Sequence, residues 1–151
     1  MTAASVTLDT NILVYSVQAG EPRQPATLAM VQRARDQGCI LTLQALGEFF
    51  AATSGKRILS RVDAAAQVRR WLELFPSPAI PSASALLTAL IASEAGRFGY
   101  WDALLLATAG EAGCTTVISE DMAPGAALGP VKVVSAFQDG AVSPEALALL
   151  G

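Results

Sequence analysis

Four acidic residues stand where a hydrolase would need carboxylates: Asp9, Glu48, Asp102 and Asp121. The chain of 151 residues contains no histidine. A single chain therefore has no histidine base, which excludes Ser-His-Asp triads and histidine-assisted RNA cleavage. Charged residues make up 15% of the sequence, against about 25% in typical soluble domains. Because histidine is absent and charged residues are few, the sequence favours a reaction that depends on these carboxylates.

A group of acids in one place is typical of a metal-binding site. Carboxylates that share one pocket cannot all be ionised without a compensating charge, so the pocket either holds a cation or keeps some of the acids protonated. Oxygen ligands without histidine or cysteine favour Mg²⁺ or Mn²⁺, which take phosphate oxygens as further ligands. Hydrolysis of a phosphate ester is therefore the predicted reaction. Cys39 and Cys114 lack the spacing of a zinc site, and we expect both to be buried.

Each acid also has a purely structural interpretation. Asp9 follows an apolar run and is typical of a helix N-cap, and Asp102 suits the first turn of a helix because of the helix dipole. Asp121 and its neighbour Glu120 fall in a turn, where the residues alone do not choose between them. Glu48 is the exception, because burying a free charge on its apolar helix would cost several kcal/mol.

The elements that must position these acids alternate between strand and helix. Strands are predicted at 6–8, 39–43, 115–119 and 131–134. Helices are predicted at 12–15, 26–37, 44–53, 62–75, 102–112 and 144–150, with another capped by Ser84 and continuing through Leu86, Leu87, Leu90, Ile91 and Phe98. The proline-rich segment 75–81 is predicted as a loop, or at most an edge strand, at the margin of the sheet, and a turn-rich segment covers 124–130.

This alternation predicts an α/β fold with a parallel sheet and helices on both faces, in one domain spanning residues 1–151. Ligands of such sheets gather beyond the carboxyl ends of the strands. Asp9 and Asp121 each follow an apolar strand within two residues. The polarity of the sheet therefore brings both carboxylates to one edge.

The ordered motifs resemble a known family. Val-Thr-Leu-Asp-Thr-Asn, a glutamate on the helix after the second strand, Tyr-Trp-Asp-Ala-Leu-Leu-Leu-Ala-Thr-Ala and Ile-Ser-Glu-Asp-Met are similar to those of PIN-domain ribonucleases, and more narrowly of VapC-type toxins. The resemblance extends over nearly the whole chain. It implies a three-layer α/β/α sandwich with a mostly parallel central sheet, whose first strand is central, and a metal-dependent endoribonuclease activity.

The resemblance also assigns residue roles. The catalytic and metal-binding acids fall on Asp9, Glu48, Asp102 and Asp121, so that Asp121 is preferred to Glu120. Asn11 and Ser119 fall on supporting positions, with Thr10 beside them. We expect Asp9 and Asp121 to be direct ligands of Mg²⁺ or Mn²⁺, and Glu48 and Asp102 to bind directly or through water. The ion would activate a water for attack on phosphorus, and the products would carry 5′-phosphate and 3′-hydroxyl ends.

The expected partners are RNA, a second copy of the chain and an antitoxin protein, all implied by the resemblance. A net charge of −3 argues against sequence-blind nucleic-acid binding. Five of the ten basic residues nevertheless lie between 56 and 70. Lys56, Arg57 and Arg61 are the predicted RNA contacts, and a solvated helical face is the alternative. Without a signal peptide or a membrane span, we expect a cytoplasmic protein.

Three other interpretations compete with a ribonuclease. A haloacid-dehalogenase-like phosphohydrolase also places an aspartate after its first strand, but it needs a second acid where this chain has Asn11. A receiver-like signalling module needs an acidic pair and a late lysine, which Lys132 inside a strand matches poorly. The third alternative is a non-catalytic PIN-like module that acts only by binding.

Overall fold

The computed structural model describes residues 5–151, which contain six strands and seven helices. The first strand is followed by six helices, and the other five strands come next and precede the last helix. The strands are β1 (Val6–Leu8), β2 (Thr116–Ser119), β3 (Ala127–Leu128), β4 (Val131–Ser135), β5 (Phe137–Gln138) and β6 (Ala141–Val142). The helices are α1 (Thr10–Val17), α2 (Gln24–Asp36), α3 (Leu43–Gly55), α4 (Arg61–Leu74), α5 (Ala83–Glu94), α6 (Tyr100–Glu111) and α7 (Pro144–Leu150). The predicted α/β class is confirmed.

Four strands form a mostly parallel sheet in the order β1-β2-β4-β3. β1, β2 and β4 are parallel, and the two-residue β3 pairs antiparallel with β4. The parallel strands consist largely of buried β-branched residues, as expected for a sheet that is covered by other elements. β1 lies at one end of this sheet, so the expectation of a central first strand is wrong. β5 and β6 form a separate two-stranded ribbon.

The predicted strand at 39–43 is also wrong. Thr42 is the N-cap of α3, and its hydroxyl accepts a hydrogen bond from the Ala45 backbone nitrogen at 3.1 Å. Pairing in this segment is limited to one isolated parallel bridge between Thr42 and Ala79. The helix therefore begins inside the apolar run and leaves too few residues for a strand. Segment 75–81 contributes Ala79 to this bridge and otherwise remains a loop, as predicted.

The other predicted helices are confirmed to within a few residues, but α5 differs in two ways. Its N-cap is Ser82, whose hydroxyl accepts from the Ala85 backbone nitrogen at 3.0 Å, rather than Ser84. It ends at Glu94, which leaves Phe98 outside the helix. Ala85, Ala89 and Ala92 are buried, whereas the large residues of the helix face outward. Leu87 and Ile91 are 59% and 68% exposed.

The core lies between the sheet and the helices that pack on it. α2 contacts β1, α1 contacts β2, and α6 and α7 contact β4. α6 is buried along most of its length and approaches β4 closely, because a Cβ at Gly110 would lie only 3.1 Å from Val131 Cγ2. Among the described residues, no helix is long and apolar enough to cross a membrane.

Candidate active site at the carboxylate pocket

All four acids named from the sequence line one cavity of about 450 Å³ at the carboxyl ends of β1 and β2. We call this cavity the carboxylate pocket. Its other lining residues are Thr10, Asn11, Val14, Tyr15, Ala52 and Lys56. Because β1 and β2 are parallel, the residues that follow them reach the same edge, and the predicted convergence of Asp9 and Asp121 is confirmed.

Asp9 is the buried member of the pocket, with 7% of its surface exposed. It is the N-cap of α1, so the structural interpretation of this residue holds: Oδ1 accepts from the Thr10 backbone nitrogen at 2.7 Å. Its other oxygen, Oδ2, accepts from the Ser119 hydroxyl at 2.6 Å. Burial, and then the charges of Asp102 and Asp121, raise the pKa of Asp9, although these two hydrogen bonds oppose the shift.

The predicted supporting residues contact the acids or their backbone. Ser119 Oγ also accepts from the backbone nitrogen of Asp121 at 3.2 Å, so one hydroxyl holds the Asp9 carboxylate and shapes the turn that carries Asp121. The Asn11 amide nitrogen lies 3.4 Å from Asp9 Oδ2, and its oxygen accepts from the Glu120 backbone nitrogen at 3.4 Å. The end of β1 and the end of β2 are therefore fixed to each other by side chains.

Glu48 is held in place by two donors. Thr10 Oγ1 donates to Oε2 at 2.9 Å, and Gln44 Nε2 donates to Oε1 at 2.9 Å. Gln44 lies one turn before Glu48 on α3, a spacing at which helical side chains meet. Gln44 was not among the site residues predicted from the sequence, although its helical spacing from Glu48 was available as a signal.

Gln44 also links the two helices that carry Glu48 and Asp102. The same amide nitrogen donates to the Trp101 carbonyl oxygen at 2.9 Å, one residue before Asp102. Within the described residues, Gln44 Oε1 is buried without a hydrogen-bond partner. Rotating the Gln44 amide by half a turn would not satisfy all of its polar atoms. Its oxygen would then face two other acceptors, Glu48 Oε1 and the Trp101 carbonyl oxygen. The orientation of Glu48 is thus maintained at the cost of one unsatisfied polar atom.

Asp102 lies in the first turn of α6 and is exposed on the pocket rim. Partial burial, and then the charges of Glu48 and Asp121, raise its pKa. Asp121 is likewise exposed, in the turn that follows β2. Two of the four acids therefore have raised pKa values, and in both cases neighbouring carboxylates contribute to the shift.

Glu120 belongs to a different group, which we call the Glu120 cluster: Tyr15, Glu21, Arg23 and Glu120. The Tyr15 hydroxyl donates to Glu120 at 2.7 Å, and Arg23 forms ion pairs with both Glu120 and Glu21. The Arg23 guanidinium also lies 4.0 Å from the centre of the Tyr15 ring. Burial and the bond to Glu120 raise the pKa of Tyr15 to about 12. Glu120 is therefore occupied outside the pocket, and Asp121 is the acid that lines it.

Of the three predicted RNA contacts, the structure brings Lys56 to the pocket. Arg57, between α3 and α4, and Arg61, the first residue of α4, are both exposed and lie outside the pocket lining. Among the described residues, none of the three side chains takes part in an ion pair. Arg57 has a φ of 56°, in the left-handed region that normally favours glycine.

The pocket's donors fit a hard divalent cation in type. They are carboxylate, hydroxyl and amide oxygens, the ligands that Mg²⁺ and Mn²⁺ prefer, and four acids face a lining that contains one cation, Lys56. Over residues 5–151, however, no three acidic or cysteine side chains lie close enough to form a ready-made metal site. The acids surround the cavity and leave its centre open.

No protein family model matches the sequence, and no curated protein shows a significant match to it. The composition of the carboxylate pocket is therefore the main indication of function. A cavity that combines four carboxylates, one lysine and fixed hydroxyl donors is suited to holding a cation beside a phosphate group.

Proposed function

We propose that the chain is a PIN-like metal-dependent endoribonuclease with a three-layer α/β/α arrangement, the toxin of a toxin–antitoxin pair, and that the carboxylate pocket is its active site. The observation that carries the proposal is the excess of negative charge in one open cavity, where four acids from separate parts of the chain meet one lysine. Burial first, and then the neighbouring carboxylates, raise the pKa of Asp9 and of Asp102, so a bound cation would favour the ionised form of both acids.

Asp9 and Asp121 would hold Mg²⁺ or Mn²⁺ directly, with Glu48 and Asp102 as direct or water-mediated ligands. When bound, the ion supplies a more acidic water and offsets negative charge on the phosphate oxygens. Ser119 keeps Asp9 oriented for this task, and Thr10 and Gln44 do the same for Glu48. Glu48 then orients the attacking water and accepts its proton.

Hydrolysis joins the water oxygen to phosphorus and breaks the bond to the 3′ oxygen, which leaves with a proton. The products carry 5′-phosphate and 3′-hydroxyl ends. Lys56 lines the same cavity as the acids and would pair with a phosphate of the bound strand. Arg57, which follows α3, and Arg61, at the start of α4, are exposed and would extend this contact along the RNA backbone.

Two protein partners belong to the proposal. The outward-facing residues of α5, Leu86, Leu87, Leu90 and Ile91, are between 40% and 68% exposed. Their exposure supports a homodimer, since a contiguous apolar face of this kind is usually covered by another protein. An antitoxin would cover the carboxylate pocket, where a basic side chain of the antitoxin would take the place of the metal ion.

The test is RNA cleavage by the purified chain with Mg²⁺ or Mn²⁺, with EDTA, and by the Asp9→Asn variant. We expect cleavage that requires the metal and is lost in the variant, with products that carry 5′-phosphate ends. Cleavage that persists in EDTA would exclude the metal mechanism. A chain that binds RNA but never cleaves it would support the non-catalytic binding module instead.

A further inference from the structure

The two tryptophans of the chain have opposite environments. Trp71 is 4% exposed and packs edge-to-face against Phe49, with ring centres 4.7 Å apart. Trp101 is 63% exposed at the start of α6. Tryptophan is highly buried on average, so an indole this exposed has no role in filling the core.

Trp101 lies beside the carboxylate pocket. It directly precedes Asp102, and its carbonyl oxygen accepts from the Gln44 amide nitrogen that also holds Glu48. The backbone that carries the indole is thus fixed to the same network as two of the acids. The Tyr100 ring packs against the indole at 4.9 Å and 74°, which supports the exposed ring from one side.

We propose that Trp101 is a stacking site for an unpaired base of the RNA strand whose phosphate lies in the carboxylate pocket. This inference rests on the proposed function and narrows the substrate to single-stranded RNA. An exposed indole offers a large π surface to any base, so such stacking adds affinity without demanding one sequence. Bases inside an A-form duplex are already stacked and are not available to it.

The surrounding charges favour a nucleic acid over an apolar ligand. Lys56 lines the pocket and forms no ion pair among the described residues, so a cation is available for a phosphate. Recognition of single strands commonly combines a basic contact to the backbone with an aromatic contact to a base. Lys56, in the lining of the pocket, and the exposed Trp101, which directly precedes the lining residue Asp102, supply these two elements.

The experiment uses tryptophan emission of the Asp9→Asn variant, which prevents cleavage, titrated with a short unstructured oligoribonucleotide. We expect quenching by the single strand and little change with the same strand annealed to its complement. Trp71 is the internal control, because it is buried and should not respond. In the same background, Trp101→Ala should abolish the quenching and weaken binding roughly 5- to 100-fold, as expected for loss of one stacked base.

The conservative variant Trp101→Phe separates stacking from folding, since it should retain most of the affinity while losing the indole signal. The unfolding temperature should be unchanged in both variants, because the side chain is exposed. Unchanged affinity in Trp101→Ala, or equal quenching by duplex and single strand, would overturn the inference. So would an emission change that depends on protein concentration without RNA, which would assign Trp101 to a protein interface.

Failure of this inference is distinguishable from failure of the proposed function. Metal-dependent cleavage by the wild type without any response of Trp101 would overturn the stacking site and leave the nuclease in place. Quenching that is lost in Trp101→Ala, together with weaker RNA binding by that variant and a wild type that never cleaves, would support the stacking site and overturn the nuclease.

Discussion

Glu120 and Asp121 are consecutive in the chain but belong to clusters of opposite character. In the Glu120 cluster, two carboxylates share Arg23, and a tyrosine hydroxyl completes the hydrogen bonds. In the carboxylate pocket, four acids face a single lysine across an open cavity. In the first cluster a guanidinium pairs with both carboxylates, whereas in the second the hydrogen bonds from neighbouring side chains leave an excess of negative charge over the one lysine of the lining.

The two clusters differ in how their charges are balanced, and this difference predicts different effects of substitution. A satisfied cluster ties elements together: Tyr15 on α1 and Arg23 before α2 reach Glu120, about 100 positions later in the chain. An unsatisfied cluster lowers stability and is retained when function requires it. Substitutions should therefore affect activity in the carboxylate pocket and stability in the Glu120 cluster.

The largest effect is expected from Asp9→Asn. This substitution keeps the size of the side chain but removes a predicted metal ligand, so the rate of RNA cleavage should fall by more than about 100-fold. The free energy of unfolding in EDTA should rise, because burial disfavours the charged carboxylate that the variant lacks. A variant that cleaves at the wild-type rate would contradict the assignment of Asp9.

Gln44→Met is expected to have the next largest effect. Methionine preserves the length of the side chain but cannot orient Glu48, so cleavage should slow by about 10-fold. Stability should change little, because the unsatisfied Gln44 Oε1 disappears as well. The matched control is Gln24→Met, which removes a 3.1 Å hydrogen bond to the Ser16 carbonyl outside the pocket. Equal cleavage rates in the two variants would exclude a positioning role for Gln44.

The basic residues of the two regions should also differ in their effect on RNA binding. Replacing Lys56 and Arg57 together by alanine should weaken RNA binding and reduce the slope of log affinity against log salt by up to about 1.4, since each phosphate contact with a single strand contributes about 0.7. Arg23→Gln is the control: its guanidinium is already paired, so the slope should be preserved while stability falls by about 0.5–1 kcal/mol. An unchanged slope in the double variant would exclude these residues as phosphate contacts.

The smallest effect is a pH dependence in EDTA. The pKa of Asp9 in the folded chain lies above its ordinary value of 3.8, so the folded state binds the proton more tightly than the unfolded state. Its contribution to stability is therefore greatest below that value and is lost as the pH rises through the raised pKa. The advantage of Asp9→Asn over the wild type in free energy of unfolding should widen over this range and then level off. A difference in free energy of unfolding between Asp9→Asn and the wild type that stays constant over this pH range would contradict a raised pKa of Asp9.

The sequence predicted what depends on local pattern and strand polarity. Buried β-branched runs identified β1, β2 and β4, and the parallel arrangement of β1 and β2 was enough to bring Asp9 to the edge where Asp121 lies. The apolar run at 39–43 misled, because Thr42 serves as a helix cap and so ends any strand there. The spacing of the large residues predicted that α5 continues through Phe98, but the helix ends at Glu94 and alanines form its buried face.

The remaining features depend on contacts between distant residues. The choice of Asp121 over Glu120 follows from Tyr15 and Arg23, whose contacts with Glu120 no local pattern encodes. The link from Gln44 to the Trp101 carbonyl likewise joins two helices that are 57 positions apart. Only the contact of Gln44 with Glu48, one helical turn away, was accessible from spacing.

The most direct test compares two neighbouring substitutions, Asp121→Asn and Glu120→Gln, by the initial rate of Mg²⁺-dependent RNA cleavage. Each variant neutralises one carboxylate in the same turn, so general effects on net charge are matched. We predict that Asp121→Asn reduces the rate by more than about 100-fold, whereas Glu120→Gln stays within a few-fold of the wild type. Equal rates in the two variants, or greater loss in Glu120→Gln, would contradict the carboxylate pocket as the active site.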